Sequence, residues 1–173
     1  VLEKVKPKRI VVVGDLKHNI PDFTRREALE VQGVAELMAS QGELLIVKGN
    51  HDGDIEKIIP WATVLPAQGA VVDKILAIHG HARPGEIETR VRAVVMGHIH
   101  PAVAIRHRFG QNLEKAFLLA EWKGLPVLVL PAFSPAITGV DVKNVDNLIG
   151  PIAKEFSRTE AFLLDGTYVG RIK

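Results

Sequence analysis

Four short apolar runs in this chain stop at glycine and histidine rather than at ordinary turn residues, and that pattern narrows the folds open to it. Residues 10–13 (IVVV) lead into Gly14-Asp15, and residues 44–47 (LLIV) lead through Lys48 into Gly49-Asn50-His51-Asp52. Residues 75–78 (ILAI) run into His79-Gly80-His81, and residues 93–96 (AVVM) into Gly97-His98-Ile99-His100. Continuous apolarity rich in Val, Ile and Leu marks strands covered on both faces, not the alternating pattern of a half-exposed sheet. Between the first two runs, Val31, Val34, Ala35 and Met38 recur at helical spacing. Thr24 and Glu27 fit a capping box and Gly42 a stop, so a helix is predicted over 24–40. Strand, helix, strand is an α/β opening. Further on, residues 102–108, 115–122, 127–130 and 161–172 read as strands separated by the turn signals Phe109-Gly110-Gln111-Asn112 and Asp165-Gly166. The second half is therefore expected to build a second, more antiparallel sheet.

With 173 residues, no internal repeat and no Gly/Ser linker, residues 1–173 are expected to form a single domain. A chain of this size buries enough surface to fold without a staple, so a metal site in it is expected to serve function. The sequence contains no cysteine, which removes thiolate nucleophiles, thiolate metal sites and disulfides together. Ligands must come from His, Asp, Asn or Glu. Lys and Arg number 22 against 20 Asp and Glu, a balance too even to select nucleic acid as partner. The longest apolar stretch, residues 125–133, is about half of a bilayer span and is broken by Pro126 and Pro131, so a membrane role is excluded and a cytoplasmic location expected. The opening residues lack an initiator Met and an apolar signal core, and Val1 reads as a cut point.

Five of the seven histidines fall in the loops after the four runs. Open α/β sheets bind ligands at the carboxyl ends of their strands, and glycine before a ligand lets the backbone approach an ion closely. Asp, Asn and several His make a mixed N/O set suited to Mn, Fe or Zn and poorly suited to Ca. Each piece has an ordinary alternative. Gly-Asp after a strand is a common turn, and Asn-His-Asp can cap a helix. Two successive His-x-His pairs at strand ends are harder to explain structurally.

Taken in order, Gly14-Asp15, Gly49-Asn50-His51-Asp52, His79-Gly80-His81 and Gly97-His98-Ile99-His100 resemble the calcineurin-like metallophosphoesterase superfamily. Gly14-Asp15-Leu16-Lys17-His18, His100-Pro101 and Leu130-Pro131-Ala132-Phe133 extend the similarity toward archaeal SbcD-related phosphoesterases. The resemblance implies an α/β, four-layer α-β-β-α sandwich with two mixed sheets and a dinuclear centre at the strand ends. It implies two divalent ions, Mn before Fe, Zn or Ni. Asp15 would bridge them, Asn50, His79 and His98 would complete the second site, and His100 would belong to the first. Family members also carry an Asp-x-His at an earlier strand end, and nothing before Gly14 supplies it. One well-held ion, one weak site and an N-terminally truncated domain are expected.

The activity implied is phosphodiester hydrolysis, with a nucleotide or DNA as partner. His51 would be the general acid, oriented by Asp52, and would also neutralise charge in the transition state. Asp52 as a simple turn cap remains the alternative. His81 could touch substrate or make a backbone hydrogen bond beside the metal. The competing function is a non-catalytic, metal-binding interaction scaffold of the same fold, against which the presence of His51 argues.

Overall fold

The computed structural model describes residues 2–108 and 110–173; Val1 and Phe109, each singled out above, lie outside them. A one-turn helix α1 (Leu2–Val5) precedes β1 (Arg9–Val12), α2 (Arg25–Ala39) and β2 (Glu43–Val47). A second one-turn helix, α3 (Ile55–Ile58), and the short β3 (Thr63–Leu65) complete the first unit. Then follow β4 (Ala70–Val72), β5 (Ile75–Ile78), β6 (Ala93–Met96), β7 (Pro101–His107), β8 (Gly110–Trp122), β9 (Leu125–Val129) and β10 (Val140–Asp141). The hairpin β11 (Arg158–Leu163) and β12 (Tyr168–Arg171) ends the chain.

The strands form two sheets. The smaller has the order β1-β2-β3 with all strands parallel, so it is not mixed as expected. The larger has nine strands, with β10-β7-β8-β9-β6-β5-β4 as its main path and β11 joining β8. It is mixed: β5, β6 and β9 run parallel, while the β4/β5, β7/β8, β8/β9 and β11/β12 pairs are antiparallel. The molecule is thus a mixed α/β protein with two β-sheets and few helices. The second sheet also begins earlier than expected, at β4, and takes in β5 and β6. Those strands look like β1 and β2 in sequence, and only long-range pairing separates them.

Apolar patterning accounts for both cores. In β2, Leu44, Leu45, Ile46 and Val47 are all buried, as continuous apolarity predicts. Val31 and Ala35 of α2 pack with Leu44, Ile46, Ile55, Ile58 and Ile59, whereas Val34 lies at the edge of the stripe and is half exposed. The larger core gathers Ile78, Met96, Ile99, Leu118, Trp122 and Val129, and the Trp122 indole N–H is satisfied by Glu155 at 2.8 Å. Thr24 caps α2 by accepting from the Glu27 amide at 3.1 Å. Gly42 stops no helix by a left-handed turn; a Cβ there would meet the Pro7 carbonyl oxygen at 2.6 Å. Gln111 and Asn112, read above as turn residues, are paired strand residues opposite Arg106 and Ile105.

Candidate metal centre

Parallel pairing within each sheet sets the loops side by side. β1 and β2 bring Asp15 next to Gly49-Asn50, and β5 and β6 bring His79 next to His98. The two sheets meet where His79 Nδ1 lies 2.7 Å from the Val13 carbonyl oxygen. This approach requires glycine at two positions. A Cβ on Gly14 would sit 2.4 Å from His79 Nδ1, and one on Gly49 only 2.1 Å from Asp15 Oδ1. Asp15, His98 and His100 have φ of 56°, 66° and 50°, a left-handed conformation that costs non-glycine residues about 1–3 kcal/mol each. The same left-handed backbone occurs at Lys6, Asp54, Asp73, Lys74 and Lys123, so it does not by itself mark a site.

At the centre is His79, 1% exposed. Because its Nδ1 faces a carbonyl, that nitrogen carries a proton, and Nε2 is left facing two further acceptors. Asn50 Oδ1 is 3.1 Å away and Asp15 Oδ2 3.2 Å. A proton on Nε2 is thus shared between two acceptor oxygens. Burial alone would lower the His79 pKa, but the hydrogen bond and charge of Asp15 outweigh it and raise it. Burial likewise opposes ionisation of Asp15, yet the bonds from His79 and from the His51 N–H hold its carboxyl below the ordinary range. A cation would satisfy the same three groups, so the donor set fits a divalent metal. The close group is a mixed one that includes an asparagine; among the described residues, no three His, Asp or Glu side chains alone stand at metal-holding spacing.

His98 lies against His79, ring centroids 5.0 Å apart at 65°, and His81 lies 5.3 Å from His79 and 6.0 Å from His98. The buried His81 Nδ1 has no hydrogen-bond partner, so the backbone bond considered for it is not made from that nitrogen. The His100 pKa is lowered, by burial first, with the charge of Asp15 opposing.

The second tier was only partly readable in advance. The Asp52 carboxylate, fully buried, accepts from three backbone amides: Asp15 N at 2.7 Å, Gly49 N at 2.8 Å and Lys17 N at 3.1 Å. It ties the two ligand loops together. The His51 ring is held instead by the His18 carbonyl, 2.5 Å from Nδ1, with the two rings stacked at 5.8 Å. The His18 loop is in turn fixed by Glu27, which accepts from His18 N at 2.6 Å and from Asn19 N and Nδ2 at 2.9 Å each. Glu27 therefore braces this loop and does not close the capping box. Lys17 is 1% exposed and donates to the carbonyls of Asn19, Pro21 and Asp22. No periodicity announces a buried lysine.

Electrostatics make the metal-free site sensitive to acid. His98 is pushed down to about 4, by burial first and then by the charges of His79 and His81. Burial also lowers His81 and His100. An unfolded chain takes up these protons near 6.5 and the folded one only near 4 in the case of His98, so stability falls as pH drops through that window. Asp15 acts in the same direction at lower pH. His79 opposes them, since its stabilisation is complete below 6.5 and is lost as pH rises through its raised folded value. For the chelated protein, the expected result is a thermal midpoint that declines between pH 6.5 and 4, with a shallower decline in His98→Gln. An equally steep decline in that variant would remove His98 as the cause.

No family model and no curated protein matches the chain. Among solved structures, it is similar to the crystal structure of Pseudomonas putida nuclease MPE. The TM-score is 0.60 and the identity 20%, over 94% of this chain and 73% of that one. At that identity the likeness carries the fold: a mixed α/β arrangement of two sheets, shared with a nuclease.

Proposed function

We propose that this chain is a metal-dependent phosphohydrolase of the calcineurin-like metallophosphoesterase type, acting on phosphodiesters with nucleic acid or a nucleotide as the substrate class. The observation that carries the reading is the convergence of Asn50 Oδ1 and Asp15 Oδ2 on buried His79 Nε2, at 3.1 and 3.2 Å, beside a histidine whose ring is oriented from behind. In this reading Asp15, Asn50, His79 and His98 hold one divalent ion, and Asp15 and His100 contribute to a second, Mn being the preferred metal. The four-layer sandwich belongs to the same proposal, which the likeness in fold to a nuclease supports.

Bound divalent ions would supply Lewis-acid polarisation of the phosphoryl group and a nucleophilic water at neutral pH. The chain's own residues do the rest. Contact with the His18 carbonyl occupies the Nδ1–H of His51, so in the imidazolium form the proton that His51 delivers to the leaving oxygen is the one on Nε2, which leaves the neutral Nδ1–H tautomer behind. The His51 N–H, 3.0 Å from Asp15 Oδ1, orients the Asp15 carboxylate. Asp52 keeps the Asp15 and Gly49 backbones at their spacing.

The test is hydrolysis of bis(p-nitrophenyl) phosphate after chelation and after Mn is restored. Expected is turnover that chelation abolishes and Mn recovers. Mn bound without turnover would overturn the enzyme reading in favour of a scaffold. With single-stranded DNA as substrate, a nuclease should lose affinity steeply with salt, whereas a small-nucleotide diesterase should not.

A further inference from the structure

Phe133 is the most exposed large apolar side chain among the described residues, its ring entirely free of protein contact by area. Its loop is nonetheless tightly held. Leu130 N donates to the Met96 carbonyl at 2.7 Å, immediately before the Gly97-His98-Ile99-His100 loop, and Val140 N donates to the His100 carbonyl at 2.9 Å. Residues 130–140 are thus tied at both ends to the segment bearing two proposed ligands. Gly139 is needed for the second tie, since a Cβ there would come 2.3 Å from His100 O. Within the loop, Lys115 Nζ bridges the carbonyls on either side of the ring, Ala132 O at 2.8 Å and Ser134 O at 2.5 Å. Pro131 and Pro135 stiffen the flanks.

A wholly exposed phenyl ring is unfavourable in water, and a loop this constrained does not leave it out for want of alternatives. A lysine, a glycine and two backbone hydrogen bonds hold the loop that presents it. An aromatic face preorganised in this way suits a flat, aromatic group arriving with its phosphate at the neighbouring centre, because ordering entropy is already lost.

We infer that Phe133 is a stacking platform for a nucleobase of a single-stranded substrate at the rim of the proposed phosphoesterase site, a reading that rests on the function proposed above. Lys115 is its positioning residue, holding the ring's backbone from both sides. Stacking of this kind tolerates every base, so Phe133 selects for nucleic acid over other phosphodiesters without selecting sequence.

The experiment compares binding of two short strands of equal length and charge, oligothymidylate and its abasic counterpart, by fluorescence anisotropy with metal chelated. The wild-type chain should prefer the base-bearing strand about tenfold, a preference that Phe133→Ala removes and Phe133→Trp restores. The exposed ring buries nothing, so thermal midpoints of the variants should match wild type and folding failure does not enter. A preference that survives Phe133→Ala, or none in the wild type, overturns the platform. Turnover of the small aryl diester is scored separately. Turnover without a strand preference overturns the platform alone, and a preference lost in Phe133→Ala without any Mn-dependent turnover supports the platform and overturns the phosphoesterase reading.

Discussion

His51→Ala is expected to lower Mn-supported kcat by roughly two to four orders of magnitude, the range that a positioned general acid supplies. The loss should depend on the leaving group. A p-nitrophenolate departs readily without a proton, whereas the alkoxide of a nucleotide diester does not, so the variant should be far more impaired on the nucleotide substrate. Metal binding should be largely retained, because the contact that His51 makes with Asp15 comes from its backbone N–H, which alanine keeps. The fold should also hold, since the ring is only half-buried and its one hydrogen bond, to His18 O, lies at the surface. Measuring kcat on both diesters, with Mn affinity by calorimetry, checks all three points. Equal losses on the two substrates would show that the ring does something other than protonate a leaving group.

Much of the site was legible because strand-end chemistry is local. An apolar run followed by Gly-Asp or His-Gly-His is readable within six residues, and the structure brings Asp15, Asn50 and His79 within hydrogen-bond distance while His98 reaches only the His79 ring. Pairing partners were not legible. The runs in β2 and β5 are both short, continuous and apolar, yet one belongs to a parallel three-stranded sheet and the other to a mixed nine-stranded one. Nothing local distinguishes them. The short β3 and β4, three residues each, fall below the length at which periodicity speaks. Glu27 was misjudged for a related reason. Thr-x-x-Glu has one local use, as a capping box, and the carboxylate instead answers a loop eight or nine residues upstream. Phe133 sat in a recognisable motif, but exposure is a tertiary property, and an apolar residue between prolines reads equally well as core.

Asp52 carries the largest expected effect on stability. Its carboxylate is fully buried and satisfies three backbone amides drawn from the two ligand loops. Removing it strands those amides, and each buried unsatisfied donor costs about 1–3 kcal/mol. Asp52→Ala should therefore lose roughly 3 kcal/mol or more, a large part of the 5–15 kcal/mol typical of a domain. For a chain of this length that corresponds to a fall in thermal midpoint of about 10 °C. Asp52→Asn should fall between the two, because the amide keeps one acceptor oxygen and turns an NH2 group toward donors. Metal affinity should drop along with stability, since the left-handed backbone at Asp15 loses the bond that holds its N–H. Calorimetric unfolding with and without Mn separates this from the other use considered for Asp52. If the alanine variant keeps its thermal midpoint within about 2 °C and its Mn affinity, yet loses turnover to the same extent as His51→Ala, Asp52 acts on the His51 ring and its amide bonds are incidental. A joint loss of midpoint and affinity identifies Asp52 as the tie between the two loops, and makes the spacing of Asp15 and Gly49 in the proposed centre a consequence of one buried carboxylate.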